Sequence, residues 1–329
     1  MNKEMILFTH NDLDALGCLM VIAEKFKDYT IKIFHTNYSN IPDIVDDISN
    51  HFINKKPDLV VCADVSFSTS PLEFDRLYKL VTSNGVPMLY FDHHLYPDNF
   101  FDSYQSDKFR LFYDKSKCAT KICYDTLFND VFQKNNPMLS ALVKIIDVYD
   151  IWQSKDPNFK SAQNLNNYFW EMIHNDLSIM DIYLSIKDAH TKGSLLPENY
   201  KPVVDTLNAE IDLHLMDIEK SNLVHRNIDY KTTLYFSNKH FNPFMINEHL
   251  NGQWFVVQFS SYGIIRMRIS QDCDFTDEQF KKIMYEMTGQ TDIGHKQAFT
   301  WKTSLDCNNN DKWAFIEAER ICKILLTEF

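Results

Sequence analysis

Short clusters of aspartate and histidine follow the apolar runs of this chain, and this arrangement limits what the chain can fold into. Three runs typical of buried strands are each followed directly by such a cluster, namely His10-Asn11-Asp12-Leu13-Asp14, Asp64 and Asp92-His93-His94. A fourth cluster, around Asp147, lies within Leu142–Asp150, which also reads as a buried strand. In an open α/β sheet the carboxyl ends of parallel strands meet at one edge, where ligands bind. Carboxylates and imidazoles gathered there repel one another unless cations lie between them, so the pattern predicts a metal site.

The spacing within the first cluster supports this interpretation. His10, Asp12 and Asp14 are two residues apart, so in an extended segment all three side chains point the same way. Each cluster also has a simpler explanation: Asp14 can cap a helix, Asp64 can begin a turn, and two adjacent histidines can lie in a solvated loop. The joint occurrence of three strand ends and the acidic pair Asp147 and Asp150 favours the metal site. Carboxylates with some imidazole suit Mn²⁺ or Mg²⁺, whereas structural zinc favours thiolates.

The order of strand-like and helix-like segments predicts the fold class. The first half alternates between the two, which is typical of βαβ units with a mainly parallel sheet. From about Asp150 to Leu223 the pattern is helical, and Val203–Glu219 fits a connecting helix. Three strands and two helices are predicted in the last hundred residues. We therefore expect an α/β protein with a mainly parallel-sheet N-terminal domain (1–185), a helical connector (186–225) and a smaller α/β C-terminal domain (226–329).

The charge of the chain constrains its partners. Its formal net charge is −12 with a pI near 5.4, and the sequence has no run rich in lysine and arginine. Proteins that bind long nucleic acids usually present a basic groove to the phosphates. Two bound divalent cations would add four positive charges locally, enough to hold one or two phosphates. The balance favours a small phosphorylated substrate over a long polymer.

Cysteine content and hydropathy address the cellular location. The seven cysteines are scattered and form no CxxC pair, which favours reduced thiols in a cytoplasmic protein. No apolar run reaches the roughly 20 residues that a membrane span needs, and the N-terminal segment lacks the features of a signal peptide. We therefore expect no membrane partner. The sequence leaves the oligomeric state open between monomer and homodimer.

The clusters resemble the motifs of a known family. Thr9–Gly17 resembles a first motif that usually reads HxDxDG, although Ala15 replaces its glycine. Ala63-Asp64 is similar to the second motif, Asp92-His93-His94 to the third, and Ile146-Asp147-Val148 to the fourth. These are the motifs of the DHH phosphoesterases, which include RecJ-type exonucleases, nano-RNases, cyclic-dinucleotide phosphodiesterases and manganese pyrophosphatases. The segment around Asp147 is most similar to the nano-RNase and cyclic-nucleotide phosphodiesterase branch.

The resemblance continues towards the C-terminus. Arg266-Met267-Arg268-Ile269 and Gly294-His295-Lys296-Gln297-Ala298 resemble the Ser-x-Arg-Ser and Gly-Gly-Gly-His-x-x-Ala motifs of the DHH-associated C-terminal domain. Asp292-Ile293 replace two of the glycines, so this match is looser than the N-terminal one. Lys115–Leu127, with Ser116 and Ala119-Thr120, resembles the family's Ser-x-x-Ala-Thr helix.

The resemblance implies roles for individual residues. One divalent cation would be held by His10, Asp12 and Asp64, and a second by Asp14, Asp64, His93 and Asp147. Mn²⁺ is expected, with Mg²⁺ or Co²⁺ as alternatives, and the sequence leaves open whether Asp147 or Asp150 is the ligand of the fourth motif. His94 and Asp92 are the candidate catalytic pair: His94 either contacts the phosphate or protonates the leaving oxygen, and alternatively supports Asp92. The candidate substrate-binding residues are Ser116, Asp150, Arg268, Gly294 and His295.

The resemblance to this family leaves several functions open for the chain. The leading hypothesis is a two-metal phosphodiesterase that hydrolyses short oligonucleotides or small nucleotides to mononucleotides. A cyclic nucleotide or cyclic dinucleotide phosphodiesterase and a RecJ-like single-strand exonuclease are the alternatives. Gly294-His295 argues against a pyrophosphatase, whose C-terminal domain is of a different kind. A degenerate nucleotide-binding module is disfavoured because every expected ligand type is present.

Overall fold

The computed structural model describes residues 3–37, 40–128, 136–220, 225–227, 232–236, 255–260, 263–269, 276–289, 298–303, 305 and 312–327. The chain divides into two compact units, Met1–Asp205 and Thr206–Phe329. The division lies within the segment 186–225 that the sequence predicts as a connector, and the three-domain description stays a prediction. Across the described part of the chain, no helix combines the length and the apolar character that crossing a membrane requires.

The first unit alternates strands and helices and then becomes helical. Its sheet and the helices between its strands are β1 (Lys3–Thr9), α1 (Leu13–Lys25), β2 (Tyr29–His35), α2 (Ile41–Asn54), β3 (Leu59–Ala63), α3 (Pro71–Ser83), β4 (Met88–Asp92) and β5 (Phe109–Tyr113). The helices that follow are α4 (Ala119–Leu127), α5 (Pro137–Asp150), α6 (Phe159–His174), α7 (Ile179–Thr191) and α8 (Tyr200–Lys220). The last of these runs across the division between the units.

Helices cover both faces of the sheet in this unit. The five strands are parallel, in the order β2-β1-β3-β4-β5. Successive strand residues point to opposite faces. Leu7 and Val61 therefore join a core with α1, α4 and α5, whereas Phe8 and Cys62 join one with α2 and α3. Burial of both faces explains why these strands are continuously apolar.

The register of the strands brings the polar clusters to one edge. Thr9 pairs with Ala63, and Ala63 pairs with Phe91. The residue after each of these, His10, Asp64 and Asp92, therefore lies at the same level at the carboxyl end of its strand. The α/β class and the parallel sheet predicted from the sequence are confirmed.

The fourth cluster does not follow a strand, and that prediction was wrong. Leu142–Asp150 belongs to α5, a helix of 14 residues that begins at Pro137. Asn136 caps it, because the Asn136 side chain accepts a hydrogen bond from the Leu139 backbone N–H at 3.0 Å. Buried residues recur at helical spacing over the whole helix, at Leu139, Leu142, Val143 and Ile146. The segment that begins at Leu142 omits the cap and the first turn of the helix. What remains is a short apolar run, which resembles a buried strand.

The second unit contains a mixed sheet and two described helices. Its strands are β6 (His225–Asn227), β7 (Thr232–Phe236), β8 (Phe255–Phe259), β9 (Ile264–Ile269) and β10 (Ala298–Lys302), in the order β10-β9-β8-β7-β6. The β7–β8 pair is parallel, and the other neighbouring pairs are antiparallel. The helices α9 (Asp277–Thr288) and α10 (Lys312–Thr327) contribute Ile283 and Ile321 to one core with Val257 and Met267.

Helices α1 and α4 approach each other closely at Gly17. A Cβ atom placed on Gly17 would lie 2.1 Å from Thr120 Oγ1 and 2.7 Å from Ile146 Cδ1. Thr120 is fully buried, and its hydroxyl donates to the Asp14 carbonyl at 2.8 Å. The hydroxyl cannot move aside without losing that hydrogen bond. Gly17 is therefore required for the contact between the two helices.

We predict that Gly17→Ala destabilises the protein although alanine favours helices. Alanine is preferred over glycine in a helix by about 1 kcal/mol, but overpacking a filled core costs about 1–3 kcal/mol or more. The steric term should dominate and leave a net loss of about 2 kcal/mol, measured by denaturant unfolding without cations. Divalent-cation affinity should also fall, because Asp14 is displaced.

Gly193→Ala is the matched control. Gly193 has φ +78° and open space around it, so alanine there costs stability through the backbone alone. It should leave cation affinity unchanged. A Gly17→Ala protein as stable as the wild type would contradict the proposed close packing of α1 and α4.

Candidate metal centre

Seven acidic and histidine side chains converge at the carboxyl edge of the parallel sheet. They form three overlapping groups within which one ligand atom of each residue lies within 4.8 Å of the others: His10, Asp12 and Asp64; Asp14, His93 and Asp150; and Asp64, His93 and His94. Ligands about 2.1 Å from a small divalent cation lie roughly 3–4 Å from one another. The spacing of these groups therefore fits a metal site.

The first motif is held by local hydrogen bonds. Asp12 caps α1, with Oδ1 accepting from the Ala15 backbone N–H at 3.0 Å, and Asp12 Oδ2 lies 2.8 Å from His10 Nδ1. Burial raises the pKa of Asp12, but the charge and hydrogen bond of His10 outweigh this and hold the pKa well below its usual range. Burial lowers the pKa of His10, and Asp12 more than reverses that shift. Asp12 is therefore held as a carboxylate beside His10.

Helix α4 fixes two carboxylates with its first backbone N–H groups. Asp14 is buried, and its oxygens accept from the N–H groups of Ala119 at 2.8 Å and Thr120 at 2.9 Å. Asp147 accepts from the Cys118 N–H at 2.9 Å. The unpaired N–H groups and the positive dipole end at a helix N-terminus favour such anions. Asp14 is thus a carboxylate placed by α4, in addition to lying in the first turn of α1.

Asp64 occupies the centre of the cluster in an unusual backbone conformation. It has φ +58°, in the left-handed region that aspartate tolerates better than bulkier residues. Its Oδ2 atom is buried and has no hydrogen-bond partner among the described residues. Burial, followed by the charges of Asp12 and Asp14, raises the pKa of Asp64 well above its usual value. A cation beside Asp64 would satisfy this oxygen and remove the repulsion.

The structure places Asp150 rather than Asp147 against the histidines. Asp150 Oδ2 lies 3.4 Å from His93 Nε2 and, like Asp64 Oδ2, is a buried oxygen without a hydrogen-bond partner in the described part of the chain. Burial and the charge of Asp14 raise the pKa of Asp150 well above its usual value. Asp147 belongs to none of the three groups and instead caps α4. The geometry favours Asp150, which the sequence predicts as a substrate-binding residue, over Asp147 as the candidate ligand, and the choice between them stays a prediction.

Both histidines of the third motif face the cluster. Adjacent side chains of an extended strand point to opposite faces, but β4 ends at Asp92, so both rings can face the same way. His93 Nε2 lies 3.5 Å from Asp64 Oδ1 and 3.9 Å from Asp14 Oδ2, and the ring centroids of His93 and His94 are 4.7 Å apart. Burial lowers the pKa of His93, but the surrounding carboxylates raise it above its usual value.

Asp92 lies behind the two histidines. It is fully buried, and its Oδ1 accepts from His94 Nδ1 at 2.7 Å and from the His93 backbone N–H at 2.8 Å. Burial raises the pKa of Asp92, and the neighbouring His94 more than offsets this, so the net shift is downward. Asp92 therefore holds the His94 ring and the His93 backbone in place, and the catalytic role expected from the sequence stays a prediction.

The structure describes two of the four remaining predicted residues, Ser116 and Arg268. Ser116 is exposed, and its hydroxyl donates to Asp114 Oδ1 at 2.6 Å in the loop before α4. Arg268 lies in β9, with its backbone paired to Val256 and Ala298. Gly294 and His295 lie outside the described residues. The substrate-binding roles of these four residues stay predictions.

His35 is a further imidazole at the same edge that the sequence analysis did not select. It ends β2 and pairs with Thr9, and its Nδ1 lies 3.4 Å from the His10 carbonyl oxygen. Burial lowers the pKa of His35. Its position at the end of the apolar run Ile31–Phe34 is the signal in the sequence. A single histidine without acidic neighbours in sequence gave no reason to use it.

Comparisons with known proteins agree with the fold and the motifs, although no protein-family model matches the chain. A 3',5'-cyclic-nucleotide phosphodiesterase of Helicobacter pylori is 26% identical over 161 residues, which cover 46% of this chain and 44% of that protein. Oligoribonuclease NrnB of Bacillus subtilis is 26% identical over 172 residues, which cover 50% of this chain and 41% of that protein. The matches thus span less than half the length of either relative.

Two solved structures share the fold. Exonuclease RecJ bound to manganese aligns over 99% of this chain and 90% of its own, with 10% identity and a TM-score of 0.57. RecJ from Thermus thermophilus in complex with Mn²⁺ aligns over 99% of this chain and 52% of its own, with 12% identity and a TM-score of 0.53.

The fold and the site define a class of protein: an α/β protein with a cluster of carboxylates and histidines that could hold a metal at the edge of a parallel sheet. Over about half of its length the chain is similar to a cyclic-nucleotide phosphodiesterase and an oligoribonuclease, and it shares the fold of RecJ.

We predict that Asp64→Asn removes the stabilisation that divalent cations give the wild type. At 100 times its Kd a cation adds about 2.7 kcal/mol, which is about 5–10 °C in Tm for a unit of this size. Without cations the variant should melt at or above the wild-type temperature, because asparagine removes a crowded charge. Thermal unfolding with and without Mn²⁺ measures both effects. Asp188→Asn, at an exposed site, should behave as wild type, and a full Mn²⁺ shift in Asp64→Asn would contradict the assignment.

A second prediction separates the two carboxylates of α5. Asp150→Asn should weaken binding of one cation by at least the roughly 10–100-fold expected when even an outer hydrogen-bonding partner is lost. Asp147→Asn should bind normally, because its side-chain carbonyl can still accept from the Cys118 N–H. Titration calorimetry and metal analysis give affinity and stoichiometry. The reverse result would restore Asp147 as the ligand.

Proposed function

We propose that this chain is a divalent-cation-dependent phosphodiesterase that hydrolyses short oligonucleotides or small nucleotides to mononucleotides. The observation that carries the proposal is the pair of ligand groups that meet at Asp64, with buried and unsatisfied oxygens on Asp64 and Asp150. The names of the two sequence relatives, a cyclic-nucleotide phosphodiesterase and an oligoribonuclease, support the substrate class.

Two cations fit the ligand set. His10, Asp12 and Asp64 would hold one, and Asp14, Asp64, His93 and Asp150 would hold the other, with Asp64 shared. We propose Mn²⁺, with Mg²⁺ or Co²⁺ as alternatives. The chemistry that such cations supply when bound is neutralisation of phosphoryl charge and activation of water near neutral pH.

The side chains around the cluster then orient the substrate. Asp92 holds His94 through Nδ1, so Nε2 is the ring nitrogen that can face the cluster and contact the phosphate or give a proton to the leaving oxygen. Asp14 is fixed by α4 and so keeps its position as charge develops. We propose that Arg268, Gly294 and His295 of the second unit bind a further phosphate, since a guanidinium can contact phosphate oxygens in pairs.

The proposal is tested by the substrate preference. Di- to tetranucleotides should exceed long RNA or DNA in kcat/KM at physiological salt, because the net charge of −12 disfavours additional phosphates beyond the site. The assay compares dinucleotides, longer RNA and DNA, cyclic nucleotides and pyrophosphate with Mn²⁺ or Mg²⁺. A preference for long polymers would favour a RecJ-like exonuclease. A preference for a cyclic nucleotide would favour a cyclic-nucleotide phosphodiesterase, the alternative that the name of the Helicobacter pylori relative supports. No hydrolysis of any member would reject the proposal.

Arg268→Ala extends the same prediction to the second unit. Loss of a charged hydrogen bond costs about 1.5–3 kcal/mol, so kcat/KM for a dinucleotide should fall roughly 10–100-fold. Hydrolysis of an activated phenyl phosphodiester should be nearly unchanged, since it has no second phosphate. Arg266→Ala, two residues away on β9, is the matched control and should retain both activities. Equal loss of both substrates in Arg268→Ala would point to a role in folding or in the chemical step.

A further inference from the structure

Two tyrosine hydroxyls lie directly behind the third motif. Tyr90, on β4, is fully buried, and Tyr96 follows two residues after His94. Their hydroxyl oxygens are 2.6 Å apart. Tyr96 donates to Asp92 Oδ2, and Tyr90 donates to the Val65 carbonyl oxygen. Each hydroxyl has only one proton, so the two protons serve three short contacts: to Asp92, to the Val65 carbonyl, and between the two hydroxyls.

Asp92 connects this tyrosine pair to His94. Its Oδ2 accepts from Tyr96, while its Oδ1 accepts from His94 Nδ1 at 2.7 Å. A carboxylate at Nδ1 fixes both the tautomer and the orientation of an imidazole ring. His94 therefore presents Nε2 to the cluster only as long as Asp92 itself is held in place.

The same pair also holds the loop that carries Asp64. Val65 follows Asp64 directly and Phe67 lies two residues further on, and the Phe67 backbone N–H donates to the Tyr96 hydroxyl at 3.3 Å. Tyr90 binds the Val65 carbonyl of the same loop. The backbone hydrogen bond from the Asp64 N–H to the Phe91 carbonyl, at 3.0 Å, joins the ends of β3 and β4. The two tyrosine hydroxyls connect the loops that follow these strand ends. Asp64 and His94 lie on these two loops.

We propose that Tyr90 and Tyr96 are positioning residues that fix His94 and Asp64 relative to each other, so that one ligand atom of each lies within 4.8 Å of the other. This inference rests on the proposed function, because His94 is the residue proposed there to contact the phosphate or protonate the leaving oxygen. The hydroxyls act through Asp92 and the loop backbone and do not contact the substrate.

The test is Tyr96→Phe, which removes the hydroxyl and keeps the ring on Phe100 and Phe101, at centroid distances of 4.8 and 4.7 Å. Mn²⁺ or Mg²⁺ affinity, measured by calorimetry, should fall roughly 10–100-fold, the usual effect of losing an outer hydrogen-bonding partner. In the cation-free protein the His94 ring should give one sharp set of ¹⁵N signals in the wild type and exchange-broadened signals in the variant. His94→Gln assigns those signals.

Tyr104→Phe is the matched control, because Tyr104 belongs to the same aromatic cluster, 4.6 Å from Phe74. It should leave the His94 signals and the cation affinity as in the wild type. Equal effects of the two variants would mean that general packing is responsible and would overturn the proposal. Wild-type affinity within twofold and unchanged His94 signals in Tyr96→Phe would also overturn it.

A double-mutant cycle adds an internal check. Tyr96→Phe should have little further effect on the His94 ring in an Asp92→Asn background, because the connection is already broken. Additive effects would show that Tyr96 acts by another route, against the proposal. None of these measurements requires catalytic turnover. A wild-type protein that fails to hydrolyse nucleotides would therefore reject the proposed function, while the cation affinity and the His94 signals would still test the role of the tyrosines.

Discussion

The Asp14 carboxylate accepts two backbone N–H groups at the start of α4, and the arrangement of the centre depends on this interaction. Asp14 follows the end of β1, so the contact joins the sheet edge to α4. The close approach requires Gly17, because any side chain there would collide with Thr120. Asp147, from α5, accepts the adjacent N–H of Cys118. One helix terminus therefore fixes α1 and α5 together, and α5 in turn supplies Asp150.

Not all carboxylates of the cluster are satisfied in this way. Each oxygen of Asp14 accepts a backbone N–H, and Asp92 accepts from His94 and the His93 N–H, whereas Asp64 and Asp150 each hold a buried oxygen without a hydrogen-bond partner among the described residues. Burying a charge without a partner costs free energy, so these oxygens destabilise the fold unless a proton or a cation binds to them. The unsatisfied oxygens of Asp64 and Asp150 are therefore the ones that a bound cation would satisfy, and Asp14 lies beside them in the same candidate ligand set.

The third motif also contains side chains in different surroundings, although its residues are adjacent in sequence. Asp92, His93 and His94 are consecutive, yet Asp92 points inwards to Tyr96 and the two histidines face the cluster. The end of β4 at Asp92 makes this possible, because the strict alternation of an extended strand stops there. Three consecutive residues thus include one that is directed into the protein and two that face the cluster.

The sequence by itself determined the α/β class, the parallel strands and the polar residues at their carboxyl ends, because apolar periodicity and strand-end clusters are local properties of the chain. It misread α5 as a strand, since the cap at Asn136 lies outside the apolar run that was considered. Which of Asp147 and Asp150 lies beside His93 could not be predicted locally: the two are three residues apart on one helix, and only the packing of α5 against α4 brings Asp147 to the Cys118 N–H. Likewise, the link between Tyr96 and the loop after Asp64 joins strands distant in sequence, and only the folded sheet brings them together.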